Sequence, residues 1–419
     1  PLQPSSRNRR TRITPWRIAV DTGGTFTDCE AVDPDGNSRR CKVLTSSAVR
    51  FRIARKTDGR EIRFAVSRSL PDGFFEGYFF SYPGEAGDEV RVARHWNDGE
   101  TCVIALERDP GGETGRGGAL AQLRSPEEAP VLGIRMLTGT RLGEALPPLD
   151  LRLGTTRGTN ALLEGKGDPP LLVVTDGFRD LMEIRDQRRP ALFDLAVRKP
   201  LPLTDNIREV AARLDPDGNE FEPLREDTVR ALKDAAGDDP PKSAAVALLH
   251  AYRNPDHEQR IVRALRDAGV AYVVGSAELS PFIKYLQRTE TAVVDAYLGP
   301  LMTDYLDRVG SAFGEDGRLL VMNSAGALQS RRRFRPKDSL LSGPAGGVVG
   351  VAAIGRRAGR HKLLALDMGG TSTDVSRYNG GYDRVEEHRV GGARLFSPAL
   401  RIETVAAGGG SICGFDGKL

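Results

Sequence analysis

Asp21-Thr22-Gly23-Gly24-Thr25-Phe26-Thr27-Asp28 recurs near the other end of the chain as Asp367-Met368-Gly369-Gly370-Thr371-Ser372-Thr373-Asp374. Each copy follows a short apolar run, WRIAV before Asp21 and KLLAL before Asp367. Each therefore reads as a buried strand, an acidic residue, a Gly-Gly turn and a second strand. Adjacent glycines let backbone N–H groups approach an anion, and the flanking threonine hydroxyls add donors, so the turn suits a phosphate. An aspartate at the strand end suits hydrated Mg²⁺. One copy alone could be an ordinary hairpin turn, where Gly and Thr are common; the second copy weighs against that.

Duplicated strand-turn-strand units that each supply half of a nucleotide clamp resemble the superfamily of actin, the sugar kinases and the large heat-shock chaperones. The expected fold class is α/β: a duplicated actin-like (ribonuclease H-like) ATPase fold. At 419 residues the chain is long enough for two domains. Its formal charge of +3 argues for neither nucleic acid nor an anionic membrane. The four cysteines, Cys29, Cys41, Cys102 and Cys413, have no zinc-ligand spacing, and the five histidines show no metal spacing either. With no long apolar span and no hydrophobic signal core, a soluble, cytoplasmic chain is expected. Residues 1–16 read as a basic disordered leader whose start was trimmed.

The three strands opening the chain form a meander through the turn Pro34-Asp35-Gly36-Asn37. Residues 50–128, with charged alternating runs such as RFRIARK and EVRVARHW, read as a β-rich insertion ending in a glycine-rich loop, DPGGETGRGG. From Leu151 strands and helices alternate, as parallel α/β structure does. Asn254 is expected to cap a helix that starts at Pro255, and two helices are expected around TETAVVDAYLGPLMTDYLDRV, broken at Gly299-Pro300. After Gly408-Gly409-Gly410 no later helices follow to cover the second sheet, so the second half is expected to be truncated.

Four more segments tighten the resemblance: GTTRGTNALLEGKG from Gly154, DGFRDLMEIRDQRRPALFDL from Asp176, LSGPAGGVVG from Leu341 and VAAGGGSI from Val405. With LLHAYRNPDHE they make the chain similar to the hydantoinase A/5-oxoprolinase family over residues 17–49 and 150–419. That resemblance divides the chain into an N-terminal domain, 17–49 and 129–225, interrupted by the insertion, and an A-type ATPase domain, 226–419, that is C-terminally incomplete. It implies ATP-dependent opening of a cyclic amide, 5-oxo-L-proline to L-glutamate or a hydantoin, as in glutathione metabolism, with ATP and Mg²⁺ as cofactors. It also implies a hydantoinase B-type subunit or downstream domain as partner, and an oligomeric assembly. The same phosphate loops serve acetone and acetophenone carboxylases, and a non-catalytic actin-like nucleotide switch would use them too; these alternatives stay open, as does whether a chain of this length is active.

On this reading Gly23, Gly24, Thr25 and Thr27 cradle phosphates from one side and Gly369, Gly370, Thr371 and Thr373 from the other. Asp21 and Asp367 are the catalytic and Mg²⁺-holding residues, the metal bound through water. Asp28 and Asp374 could equally cap a turn. Gly343 and Gly346, at the start of an apolar helical run, would meet the nucleotide through free N–H groups, or would serve helix packing. Gly408, Gly409 and Gly410 stand where the superfamily's second half approaches adenosine. Thr155, Thr156, Thr159 and Asn160, where a strand hands over to a helix, could line the substrate cleft or cap the helix. Arg179, Arg185, Arg188 and Arg189 could pair with a substrate carboxylate or form surface ion pairs.

Overall fold

The computed structural model describes residues 14–414 apart from 57–59, 66–69, 85–87, 112–117, 188–192, 194, 197–198, 238, 315–316 and 371. Within that range the chain forms two compact units, Pro1–Leu153 with Leu306–Val321, and Gly154–Tyr305 with Met322–Leu419.

In the first unit, strands Trp16–Thr22, Phe26–Val32 and Ser38–Leu44 form the expected antiparallel meander. Alternate residues Ile18, Val20, Cys29, Ala31 and Val43 face the core, as a half-buried sheet requires. The turn between the second and third strands is held by the Asp33 carboxylate, which accepts from the backbone N–H groups of Asp35 (3.1 Å) and Asn37 (2.8 Å). Helix Ala129–Thr138 buries Val131, Leu132, Ile134 and Leu137. Gly133 lets the helix sit directly on the strands: a Cβ there would lie 2.2 Å from Cys29 Sγ. Cys29 and Cys41 face each other across the second and third strands as free thiols, an approach that sequence separation did not reveal.

The β-rich segment extends the same sheet. Strand Ala48–Lys56 joins the meander at Leu44↔Ala48, and the strands Glu61–Phe64, Phe79–Ser81, Val90–Asp98, Thr101–Leu106 and Leu120–Arg124 follow in antiparallel pairs. Its core is aromatic: Phe51, Phe64, Phe74, Phe75, Tyr78 and Phe80 share one cluster with Leu132 of the helix. Full burial of a side chain of this size contributes about 1.5–3 kcal/mol, so the shared core stabilises the segment and the helix together. The glycine-rich loop at its end lies mostly outside the described residues.

The second unit contains a four-stranded parallel sheet in the order Ile207–Val210, Leu171–Thr175, Ser243–Ala247, Tyr272–Gly275. Apolar side chains cover both faces. Leu171, Val173, Ala244 and Val246 pack with Leu232, Ile261 and Leu265, while Leu172, Val174, Ala245 and Ala247 pack with Ala292, Val293 and Ala296. Two-sided burial explains why these strands read as unbroken apolar runs. Helix Asp256–Asp267 starts one residue later than expected, with the Asn254 side chain accepting from the Asp256 N–H at 3.1 Å.

The expected break at Gly299-Pro300 does not occur. Tyr285–Ser311 is one helix with Pro300 inside it. Proline removes one helical hydrogen bond and crowds the preceding turn, but Ala296, Tyr297, Leu298, Met302 and Tyr305 are all buried, and that packing outweighs the local preference. Gly299 is where the helix meets a ring, since a Cβ there would lie 2.3 Å from Tyr272 Cδ1.

Asp295 of this helix is fully buried, accepting from the Tyr272 hydroxyl (2.7 Å) and the Lys337 N–H (3.0 Å), and burial raises its pKa from 3.8 to about 6. A raised carboxyl favours the folded state below its unfolded value, and that contribution is lost as pH rises from about 4 through about 6. Asp295→Asn keeps the shape and removes the charge, and Tyr272 can accept from the new amide. The variant should therefore gain stability relative to wild type, by up to about 3 kcal/mol, between pH 4 and pH 7. Urea midpoints at the two pH values measure this; an equal difference at both would refute it.

Helix Ser342–Arg357 packs on a three-stranded sheet ordered Lys362–Met368, Thr373–Asn379, Ile402–Val405. Leu364, Leu366 and Met368 are 80%, 69% and 58% exposed, so one face of the first of these strands is uncovered among the described residues.

Candidate functional site

The two Gly-Gly turns share their strand register and their closing hydrogen bond. In the first, Asp21 pairs in register with Asp28 and Thr22 with Thr27, and the Gly23 N–H donates to Phe26 O at 2.9 Å. In the second, Asp367 pairs with Asp374 and Met368 with Thr373, and the Gly369 N–H donates to Ser372 O at 2.9 Å. Gly24, Thr25, Gly369 and Gly370 are exposed and Gly23 is half-buried, so each turn offers backbone to solvent at the tip of a rigid hairpin. Asp21 and Asp367 stand one residue before the ends of their strands as exposed carboxylates. Thr371 lies outside the described residues.

Thr27 and Thr373 are oriented differently from the expectation that they face phosphate. Thr27 is fully buried, its hydroxyl 3.2 Å from that of Thr45, which in turn donates to Gly23 O at 2.9 Å. Thr373 is buried and donates to Ala407 O at 2.6 Å. Both threonines thus anchor their turns from beneath. Thr45, which ties the first turn to its third strand, carries no local sequence signal beyond its place at a strand end. Asp28 and Asp374 do not cap the turns; each reaches across to the next strand, Asp28 to Lys42 (3.1 Å) and Asp374 to the Thr404 hydroxyl (2.7 Å).

The structure brings the triple-glycine loop against the second turn. Gly409 N–H donates to Gly369 O at 2.9 Å and Gly410 N–H to Gly370 O at 2.8 Å. A Cβ on Gly408 would lie 2.7 Å from Gly369 O and from Gly370 C and O, so glycine is required there by the approach of one backbone to another.

The SGPAGG segment lies inside the first turns of helix Ser342–Arg357 rather than before it. Leu341, at φ 59°, turns the chain into the helix, its N–H donating to Thr159 Oγ1 at 3.0 Å, while Ser342 Oγ donates to Thr155 O at 2.9 Å. The strand-to-helix turn and this helix start are therefore stitched together. Gly158 permits it, since a Cβ there would lie 2.0 Å from Ser339 Oγ. Thr155 is buried and its hydroxyl accepts from the Arg157 N–H at 3.1 Å. The Asn160 amide donates to Thr156 Oγ1 at 3.3 Å. By contrast a Cβ on Gly346 would touch only Met322 Cε, at 4.0 Å, and one on Gly347 or Gly350 nothing. Helix packing does not demand those three glycines, which leaves bare backbone along part of the helix surface.

Of the four arginines, Arg179 donates to Ile207 O at 3.1 Å and Arg185 to Met182 O at 3.1 Å; Arg188 and Arg189 lie outside the described residues. No group of three or more His, Cys, Asp or Glu side chains that could hold a metal occurs among the described residues. An all-protein cage is thus absent there, and exposed carboxylates such as Asp21 and Asp367 are the donor type that suits Mg²⁺ retaining most of its waters. No helix among the described residues is long and apolar enough to cross a membrane.

The hydantoinase/oxoprolinase family matches residues 288–419, and the hydantoinase/oxoprolinase N-terminal region matches residues 104–269. The chain is 39% identical to 5-oxoprolinase 1 of Arabidopsis thaliana in an alignment that covers 68% of this chain and 25% of that protein. Two solved structures superpose with a TM-score of 0.64: an ATP-dependent caprolactamase from Pseudomonas jessenii, at 24% identity over 96% of this chain and 49% of that one, and a nucleotide-free acetone carboxylase, at 23% identity over 94% and 48%. The structural likeness shows that this chain shares the α/β fold of these two structures. The chain spans about a quarter of the curated relative and about half of the solved chains.

Proposed function

We propose that this chain, which belongs to the hydantoinase/oxoprolinase family, is the ATP-using part of a cyclic amide hydrolase that activates 5-oxo-L-proline or a hydantoin. The observation that carries the reading is the strand register and closing hydrogen bond that the two Gly-Gly turns share, each turn preceded by an exposed aspartate. Rigid turns with exposed backbone stabilise phosphate charge without reorganising, which is where catalysis of phosphoryl transfer chiefly comes from.

ATP is needed because a lactam carbonyl is a poor electrophile. Transfer of the γ-phosphoryl group to the amide oxygen gives an imidate-like phosphate and ADP. Water then attacks the carbon, phosphate leaves with the oxygen, and the ring C–N bond breaks. Gly23, Gly24, Thr25, Gly369 and Gly370 are assigned to the phosphates, with Gly343, Gly346 and Gly408, Gly409 and Gly410 assigned to the rest of the nucleotide. Thr27 and Thr373 act by holding the turns in shape. Asp21 and Asp367 are assigned to Mg²⁺ through water; when bound, the ion would offset the charge of the phosphates. Thr155 and Thr159 tie down the start of helix Ser342–Arg357, Asn160 bonds to Thr156, and all four are retained as substrate-side candidates. A hydantoinase B-type subunit or downstream domain is the proposed partner for the hydrolytic step. The four free cysteines fit a reducing, cytoplasmic setting, and with 5-oxo-L-proline as substrate the role falls in glutathione metabolism.

The test is ADP release by the chain, alone and with a B-type partner. Stimulation by 5-oxoproline or hydantoin is expected. Stimulation only by acetone with bicarbonate would replace this reading with a ketone carboxylase, and tight ATP binding without stimulated turnover would replace it with a nucleotide switch.

A further inference from the structure

Cys29 and Cys41 stand directly opposite each other on strands Phe26–Val32 and Ser38–Leu44, and both are free thiols. A hydrogen bond joins the two thiols, and Cys41 Sγ donates in turn to Gly133 O at 3.5 Å. A Cβ on Gly133 would lie 2.2 Å from Cys29 Sγ and 3.8 Å from Cys41 Sγ, so both sulfurs lie beneath the same bare point of the helix. Cys29 is buried and Cys41 half-buried, which leaves one sulfur of the pair within reach of solvent. The other two cysteines are placed differently: Cys102 is buried, its thiol donating to Asn97 Oδ1 at 3.3 Å, and Cys413 is exposed.

Strand geometry decides whether the two sulfurs can join. The Asp33 N–H donates to Asn37 O, and the Thr45 N–H to Thr25 O. Counting along the strands by twos from either bond makes Cys29 and Cys41 a hydrogen-bonded pair, with Cα atoms about 5.5 Å apart. A disulfide spans Cα separations of about 4.4–6.8 Å, so the backbone already permits one. Its Cβ atoms stand about 3.5–4.5 Å apart, closer than the roughly 4.5–5.5 Å of opposed strand residues, and hydrogen-bonded positions are the wider of these. The bond would therefore be strained and easily reduced, as regulatory disulfides are. We propose that Cys29 and Cys41 form a reversible redox site, a dithiol that hydrogen peroxide closes to a disulfide and small thiols reopen. Cys41, as the thiolate, attacks one peroxide oxygen; the O–O bond breaks, hydroxide leaves and Cys41 becomes a sulfenic acid. The Cys29 sulfur then attacks Cys41 Sγ, giving up its proton as the S–O bond breaks and the oxygen leaves as water. Net, two thiols are oxidised, one peroxide is reduced and two waters form. Hydrogen bonding with Cys41, and then burial, raise the Cys29 pKa, so Cys29 keeps its proton until that second step. The new bond ties the strand that leaves the first Gly-Gly turn to the strand whose end, at Thr45, braces that turn.

The experiment treats the full chain with hydrogen peroxide under native conditions, blocks free thiols with an alkylating reagent, and maps the digest by mass spectrometry. The expected product is a peptide pair linked through Cys29 and Cys41 and lighter by two hydrogens than its reduced parts. Alkylation of both residues should be lost together, that of Cys102 should stay as it was, and reduced glutathione should restore both. Cys41→Ser should leave Cys29 unmodified, while Cys29→Ser should stop at a Cys41 sulfenic acid that dimedone traps. If Cys29→Ser fails to fold, the wild-type map and Cys41→Ser decide. Free Cys29 and Cys41 after peroxide, a Cys41 sulfinic acid without a cross-link, or a disulfide that uses Cys102 or Cys413 instead would overturn the site. A Cys29–Cys41 bond that glutathione leaves intact would overturn its reversibility.

Discussion

Asp367→Ala is expected to lower ADP formation by about a hundredfold or more while shifting the unfolding free energy by no more than about 0.5 kcal/mol. The two halves of that expectation have separate causes. Asp367 stands one residue before the end of its strand as an exposed carboxylate, so its removal exposes no core and leaves no buried group unpaired. In the proposed site it holds the hydrated metal beside the phosphates, where loss of several kcal/mol of charge stabilisation is a loss of several powers of ten in rate. Asp367→Asn, equal in size and without charge, should behave as the alanine variant does. ADP release with lactam present, set beside a urea titration, reads both halves. Turnover at the wild-type rate would remove Asp367 from the site.

Gly408→Val is expected to separate the triple-glycine loop from the second Gly-Gly turn and to weaken nucleotide binding by at least about tenfold, at a cost of about 1–3 kcal/mol in stability. The added Cβ would stand 2.7 Å from Gly369 O and from Gly370 C and O. These are backbone atoms, which cannot rotate aside as a side chain can. The bonds Gly409 N–H to Gly369 O and Gly410 N–H to Gly370 O must then lengthen or break. Gly350→Ala is the matched control: nothing lies within 4 Å of its Cβ, and in a helix interior alanine should stabilise by about 0.5–1 kcal/mol with nucleotide affinity unchanged. Equal nucleotide affinity in Gly408→Val and wild type would show that the loop contact does not shape the site.

The duplicated octapeptide was legible because its signal is local. A Gly-Gly turn between two strands is decided by residues a few positions apart, and the meander, the Asp33–Asn37 turn and the doubly covered parallel strands follow from the same short-range patterns. The unbroken helix Tyr285–Ser311 was not legible, since Pro300 argues locally for a break and only long-range burial overrides it. Thr27 and Thr373 show the limit within a motif: residue type alone predicts a hydroxyl donor to phosphate, and the strand's two-residue alternation puts that hydroxyl into the core in both copies. Asp28, paired with Lys42, and Asp374, paired with Thr404, show the same limit, because their partners belong to neighbouring strands.

By itself, then, the sequence determined that the chain carries two equivalent strand-turn-strand Gly-Gly hairpins in an α/β protein, because turn chemistry and strand periodicity are properties of adjacent residues. Tertiary structure alone decided which loop glycines meet each other, which threonines brace the turns, and that Arg394 is held between Glu290 and Asp186 with one donor left over. Those facts depend on residues 18 to 208 positions apart in the chain, and only packing brings such residues within the few ångströms over which hydrogen bonds and desolvation act.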